Sequence, residues 1–165
     1  MSARTLALAG LLASASLQAT EVGENAPLVV AAALDEAGEH RLEELRGKVV
    51  LVDFWASWCA PCLHALPAYA LLRSDLGPRG FEVLAISVDE QRKDAERFLE
   101  RRPVAVLLAH DPDGAWAKAF AVKAMPSSYL VDRNGVVQEV HLGYRAEELA
   151  ALRSRIEAML EPANE

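Results

Sequence analysis

The sequence predicts an α/β fold, a central sheet held between two layers of helix in a three-layer α/β/α sandwich. Three observations lead there. Apolar, β-rich runs alternate with helical segments along most of the 165 residues. One run, Val49–Trp55, is apolar and β-branched almost throughout, as in a strand buried on both faces. Near the end, Asp132-Arg133-Asn134-Gly135 joins two β-rich runs, and Asn-Gly in such a place is a strong hairpin signal.

The elements follow in order. Residues 21–27 form a polar entry ending in Ala26-Pro27. Residues 28–34 and 39–42 read as two strands joined by a turn at 35–38, an N-terminal hairpin. Residues 43–47 make a short helical turn closed by Gly47. After strand 49–55, residues 60–76 read as a helix ending at Gly77-Pro78, with Leu63, Leu66, Ala70 and Leu71 as its apolar face and a kink expected at Pro67. Residues 81–88 form the next strand. Residues 90–102 form a charged surface helix with Ala95, Phe98 and Leu99 on its inner side, and 104–109 another strand. A helix opens at Asp113-Gly114 and runs to about Phe120. Strands follow at 128–131 and 136–142, with antiparallel pairing confined to such hairpins in an otherwise parallel sheet. The last helix, 146–160, carries Leu149, Leu152, Ile156 and Met159 on one stripe.

Composition narrows the function. The chain is 52% apolar and 25% charged, with a formal net charge of −7, so no basic face is available to hold phosphates and a nucleic-acid partner is excluded. No apolar run reaches the roughly 18–20 residues that span a bilayer. The N-terminus differs in kind: Arg4 supplies a positive start, residues 6–12 are apolar, and Ala13-Ser14-Ala15-Ser16 are small. This pattern predicts a signal peptide over residues 1–19, cut after Ala15 or Ala19, and a single domain over 20–165. The predicted location is the periplasm, with no stable membrane insertion after cleavage. Export places thiols in an oxidising compartment, where they need an electron supply to stay reduced.

The only two cysteines, Cys59 and Cys62, lie in Trp58-Cys59-Ala60-Pro61-Cys62, between a strand and a helix. Their sulfurs can meet within one helical turn, which is the layout of a dithiol redox centre. Cys59, at the start of the helix, is the expected exposed nucleophile, because helix-terminal N–H groups favour a thiolate. Cys62, one turn deeper, is the expected resolving thiol. Pro61 suits the first turn, where a missing N–H costs nothing. A purely structural disulfide across so short a loop stabilises little. Zinc needs about four ligands, and only His40, His64, His110 and His141 remain to supply them, with His64 expected on the helix surface. Covalent haem attachment needs histidine directly after the second cysteine, where Leu63 stands. No cofactor is called for.

Asp53 interrupts the apolar strand six residues before Cys59. Burial there raises a carboxyl pKa, so that Asp53 can take the proton of Cys62 as that thiol attacks. The competing reading is a salt bridge to Lys48 or Lys123. Trp58 is expected at an apolar rim where a partner docks, and Trp55 in the core. Met125-Pro126 precedes the strand at 128, and X-Pro bonds are cis in only about 5–6% of folded cases.

Val-Asp-Phe-Trp-Ala-Ser-Trp-Cys-Ala-Pro-Cys at 52–62, Pro67, and Met125-Pro126-Ser127-Ser128 together resemble a thioredoxin-fold protein. The lead-in Gly23-Glu24-Asn25-Ala26-Pro27, the N-terminal hairpin and the inserted helix–strand unit at about 90–109 are similar to redoxin-type domains of the TlpA/ResA group of exported thiol–disulfide oxidoreductases. The resemblance covers residue 22 to about 160. It implies Cys59 as nucleophile, Cys62 as resolver, and a cis Pro126 beside which the Met125 backbone pairs with an extended substrate. It also implies a protein-disulfide reductase with Trp58, Pro61, Met125 and Pro126 around its substrate. The partners it implies are protein disulfides or thiols and an upstream membrane electron donor. Asp53 matches the buried aspartate of thioredoxins, where many TlpA-like proteins have asparagine. Ala65, three residues after Cys62, departs from the glutamate usual in the subgroup that reduces apocytochrome c, which weakens a cytochrome c maturation role. A peroxiredoxin-like peroxidase would show Thr-x-x-Cys with a distant arginine. A copper carrier would have three residues between its cysteines.

Overall fold

A computed structural model describes residues 20–35 and 37–162. The expected signal peptide, 1–19, lies outside the described residues. The described residues form seven strands: β1 (Val30–Ala33), β2 (Glu39–Arg41), β3 (Val49–Trp55), β4 (Phe81–Ser87), β5 (Leu107–His110), β6 (Ser127–Val131) and β7 (Val137–Leu142). Four α-helices accompany them there: α1 (Cys62–Leu76), α2 (Arg92–Arg101), α3 (Ala115–Ala119) and α4 (Leu149–Leu160). The strands make one sheet in the order β2-β1-β5-β4-β3-β6-β7.

Antiparallel pairing reaches further than the sequence predicts. Only β3–β4 and β4–β5 are parallel; β6 pairs antiparallel with β3, and β1 antiparallel with β5. The reason lies in the connections. The βαβ crossovers through α1 and α2 impose parallel neighbours, whereas the two terminal hairpins add their strands in the opposite sense.

Every residue of β3 and β4 is buried, because both faces of the sheet are covered. Leu51 and Trp55 face one core, shared with Leu66 and Leu72 of α1, Phe98 of α2 and Ile156 of α4. Val50, Val52 and Phe54 face the other, shared with Phe120 after α3, Leu42, Tyr129 and Val137. This alternation is the period of two along a strand, and it gives the three layers.

Several boundaries differ from expectation. β1 begins at Val30, with Leu28 58% exposed beyond it. β5 begins at Leu107, where its ladder with Leu84 of β4 starts, and not at 104. α1 begins at Cys62, and residues 59–61 form the tight turn before it. It runs unbroken through Pro67. Its buried face is Cys62, Ala65, Leu66, Tyr69, Leu72 and Leu76, while Leu71, expected to face inward, is 69% exposed. The segment is apolar around most of its circumference, so periodicity alone does not select the inner side. In α4, Leu152, Ile156 and Leu160 are buried, and Leu149 and Met159 pack against them.

Candidate active site: a dithiol over a buried carboxyl

The site grows out of the C-terminal end of β3. After Trp55 and Ala56 the chain leaves the sheet, and Asp89 fixes its exit. The Asp89 carboxylate accepts hydrogen bonds from the Ser57 backbone N–H (2.9 Å), the Ser57 hydroxyl (2.7 Å) and the Ser87 hydroxyl (2.8 Å). Asp89 is itself buried, so these charge-assisted bonds hold the loop firmly just ahead of the cysteines. Trp58 then projects outward, 69% exposed.

Cys59 and Cys62 are joined as a disulfide, with their Cα atoms 5.4 Å apart. The Cys62 backbone N–H donates to the Cys59 carbonyl (3.1 Å) and lies 3.3 Å from Cys59 Sγ. That N–H is oriented to favour negative charge on the Cys59 sulfur once the bond opens. Cys59 is less exposed than the sequence predicts, at 4%, against 0% for Cys62. Tied to its partner's sulfur, it packs into the α1-side core, yet it remains the more accessible of the two. His64 is exposed, as expected of a surface histidine.

Asp53 is wholly buried. It lies between Leu51 and Trp55 on β3, so its side chain points to the same face, toward the core that holds both cysteines. Its Oδ1 accepts a hydrogen bond from the Ser128 hydroxyl at 2.7 Å, and its Oδ2 has no hydrogen-bond partner among the described residues. Among the described residues no cation pairs with it: Lys48 reaches Glu82 instead (3.8 Å), and Lys123 is exposed. Burial pushes the Asp53 carboxyl up from 3.8 to about 7, against a smaller lowering by the Ser128 bond. Tyr69 of α1 completes the group, its hydroxyl 3.2 Å from Ser128 Oγ.

The loop before β6 lies beside the same end of β3, because Phe54 pairs with Ser127 and Asp53 with Ser128 across the ladder. The Met125–Pro126 bond is cis. Pro126 is buried and its carbonyl accepts from the Gly143 N–H (2.8 Å); the Ser127 hydroxyl donates to the Ala124 carbonyl (2.7 Å). Met125 is half-buried between the two cores. Trp55 is fully buried against Phe98. Next to the disulfide, Ala60, Pro61, His64, Tyr144 and Ala146 line an open, mainly apolar cleft of about 570 Å³.

Residues 22–140 match the AhpC/TSA family. The chain belongs to that family. Within it, this redoxin is 35% identical over 130 residues to the thiol-disulfide oxidoreductase ResA of Geobacillus thermodenitrificans, covering 79% of this chain and 74% of that protein. A ResA of Bacillus cereus is 30% identical over 137 residues, covering 82% and 79%. Among solved structures, a Chlorobium tepidum protein assigned as a thiol:disulfide interchange protein DsbE superposes with a TM-score of 0.83 at 36% identity, over 87% of this chain and all of that one. This redoxin is therefore a thiol-disulfide oxidoreductase of the thioredoxin superfamily.

Sequence reading reached Asp53 and both cysteines but not Ser128, Tyr69 or Asp89, which surround them. A hydroxyl two residues after Met125-Pro126, inside a buried strand, is the one available signal: a buried polar group needs a partner. Which partner it finds depends on the β3–β6 register.

Proposed function

We propose that this redoxin is a periplasmic reductase of protein disulfides. The Cys59 thiolate attacks a disulfide of a partner protein, forming a mixed disulfide and releasing one partner sulfur as a thiolate. Cys62 then attacks Cys59. The Cys59–Cys62 bond forms, the bond to the partner breaks, and the partner leaves with both sulfurs reduced. Asp53 takes the Cys62 proton in that second step. An upstream membrane electron donor returns the dithiol to its reduced form. Trp58, Pro61, Met125 and Pro126 hold the partner, which reaches the site as an extended strand.

The observation that supports this reading best is the disulfide itself: its outer sulfur belongs to Cys59, and its inner one lies in the core that Asp53 faces. Export rests on the pattern of residues 1–19. Among the described residues, no helix is long and apolar enough to cross a membrane. The direction rests on the Ala-Pro pair between the cysteines, since strong oxidants of this fold tend to carry histidine there.

The test is the Cys59–Cys62 reduction potential, together with reduction of insulin disulfides by the reduced protein. A potential well below that of a strong oxidant and rapid insulin reduction are expected. A value near about −120 mV, that of a strong oxidant, would overturn the reductase direction. Peroxide turnover that survives Cys62→Ser would indicate a peroxidase instead.

A further inference from the structure

A fully buried carboxyl that gains a proton in each cycle must also lose it, and Asp53 has no contact with solvent. The ladder supplies a route. Ser128 stands opposite Asp53 in register, and its hydroxyl bridges the carboxyl at 2.7 Å and the Tyr69 hydroxyl at 3.2 Å. Tyr69 in turn lines a small cleft with His141, Tyr144 and Glu148, whose volume of about 10 Å³ is roughly the room one water needs. That cleft shares His141, Arg145, Glu148 and Leu152 with a larger open groove.

We propose that Ser128 and Tyr69 form the proton path between Asp53 and solvent, with its outlet at the cleft beside Tyr144. The proposal rests on the reading above, in which Asp53 receives the Cys62 proton. With Asp53 ionised, the Tyr69 O–H donates to Ser128 Oγ, and the Ser128 O–H donates to Asp53 Oδ1. With Asp53 protonated, the chain reverses. The carboxyl gives its proton to Ser128 Oγ, the Ser128 proton passes to Tyr69 Oη, and the Tyr69 proton passes to water in the cleft. Each O–H bond breaks as the next forms. Both hydroxyls end neutral, and one proton has moved from Asp53 to solvent.

The carboxyl meets the path through Oδ1, which accepts from the Ser128 hydroxyl. Burial, and then the nearby Asp53 charge, push the Tyr69 hydroxyl above its ordinary pKa, so it relays a proton without ionising. The titratable groups around it are Asp53, Tyr144 and Glu148, with His141 and Arg145 at the cleft. Ser128 and Tyr69 act through Asp53 and touch no reacting sulfur in this scheme.

The test follows the Asp53 carboxyl C=O band by rapid-scan infrared spectroscopy after a pH jump on the full oxidised protein. The band is identified by its loss in Asp53→Asn. Ser128→Ala and Tyr69→Phe should each slow its relaxation by about tenfold or more, the cost of losing one well-placed hydrogen bond from the path. Tyr69→Phe keeps the ring that packs edge-on to Tyr144, so the fold should be retained. Because the two hydroxyls act in series, the double variant should relax no more slowly than the slower single one. Unchanged relaxation in both variants, or multiplied effects in the double variant, would overturn the path. Failure of the underlying reading looks different: Asp53→Asn would then resolve a mixed disulfide as fast as the parent protein, whatever the infrared relaxation shows.

Discussion

Asp53 ties stability to pH through one buried carboxyl. Its pKa is about 7 in the folded protein and near 3.8 when the chain is solvated. The protonated form is thus favoured by folding. Its contribution is fully present below about pH 4, is lost as pH rises through about 7, and amounts to roughly 4 kcal/mol across that window. Asp53→Asn should therefore be more stable than the parent at pH 8 by a few kcal/mol and nearly equal to it at pH 4. Urea unfolding at the two pH values measures this; a difference that does not grow with pH would contradict the buried carboxyl. In the same variant, resolution of a mixed disulfide by Cys62 should slow at neutral pH, by about 10²-fold if general-base catalysis has its usual size. Trp58 poses the opposite case. At 69% exposed it stabilises little, so Trp58→Ala should leave stability within about 0.5 kcal/mol. It should nonetheless cut kcat/KM for a protein disulfide by about tenfold, as an aromatic anchor does, and spare a small-molecule disulfide.

At the scale of elements, α1 sets the depth of the two sulfurs. The helix starts at Cys62, after a turn in which Pro61 supplies helical φ of −62° without needing a donor partner. Its inner face then fills the core below the dithiol. Leu66 is 1% exposed and Leu71 is 69% exposed on the same helix. Leu66→Ala should cost about 2–5 kcal/mol and Leu71→Ala less than about 0.5, read as shifts in the denaturation midpoint. Equal costs would mean that the helix is rotated from the orientation described. The hairpin between β6 and β7 is as local as the sequence suggests: Asp132 Oδ1 accepts from the Asn134 and Val136 N–H groups, and Gly135 takes the positive φ of 79° that the turn requires.

At the scale of the whole molecule, the N-terminal hairpin is part of the fold and not an appendage. β1 pairs with the outer edge of β5, and Val29, Ala31 and Leu42 belong to the second core. A chain beginning at Lys48 would bare that edge and part of that core. It should lose cooperative thermal unfolding and near-UV circular dichroism; a sharp transition in the truncated chain would show the hairpin to be dispensable. The same long-range pairing explains what could be read early. The Cys59–Cys62 spacing, the buried strand with its single carboxyl, the Asn-Gly hairpin and the stripe of α4 are all local patterns. The antiparallel joins at both flanks of the sheet and the inner face of α1 are not.

Local pattern was therefore enough to place a dithiol between a strand and a helix, with a carboxyl in the strand behind it, because spacing along one chain limits what two cysteines can reach. It could not say what satisfies that carboxyl. Ser128 is 75 residues from Asp53, and Tyr69 is 59 from Ser128. They meet only because β6 lies against β3 in one register and α1 turns Tyr69 inward. A one-residue slip would send Ser128 to the opposite face of the sheet. The surroundings of the carboxyl are a property of the assembled sheet and of burial, which no segment possesses alone.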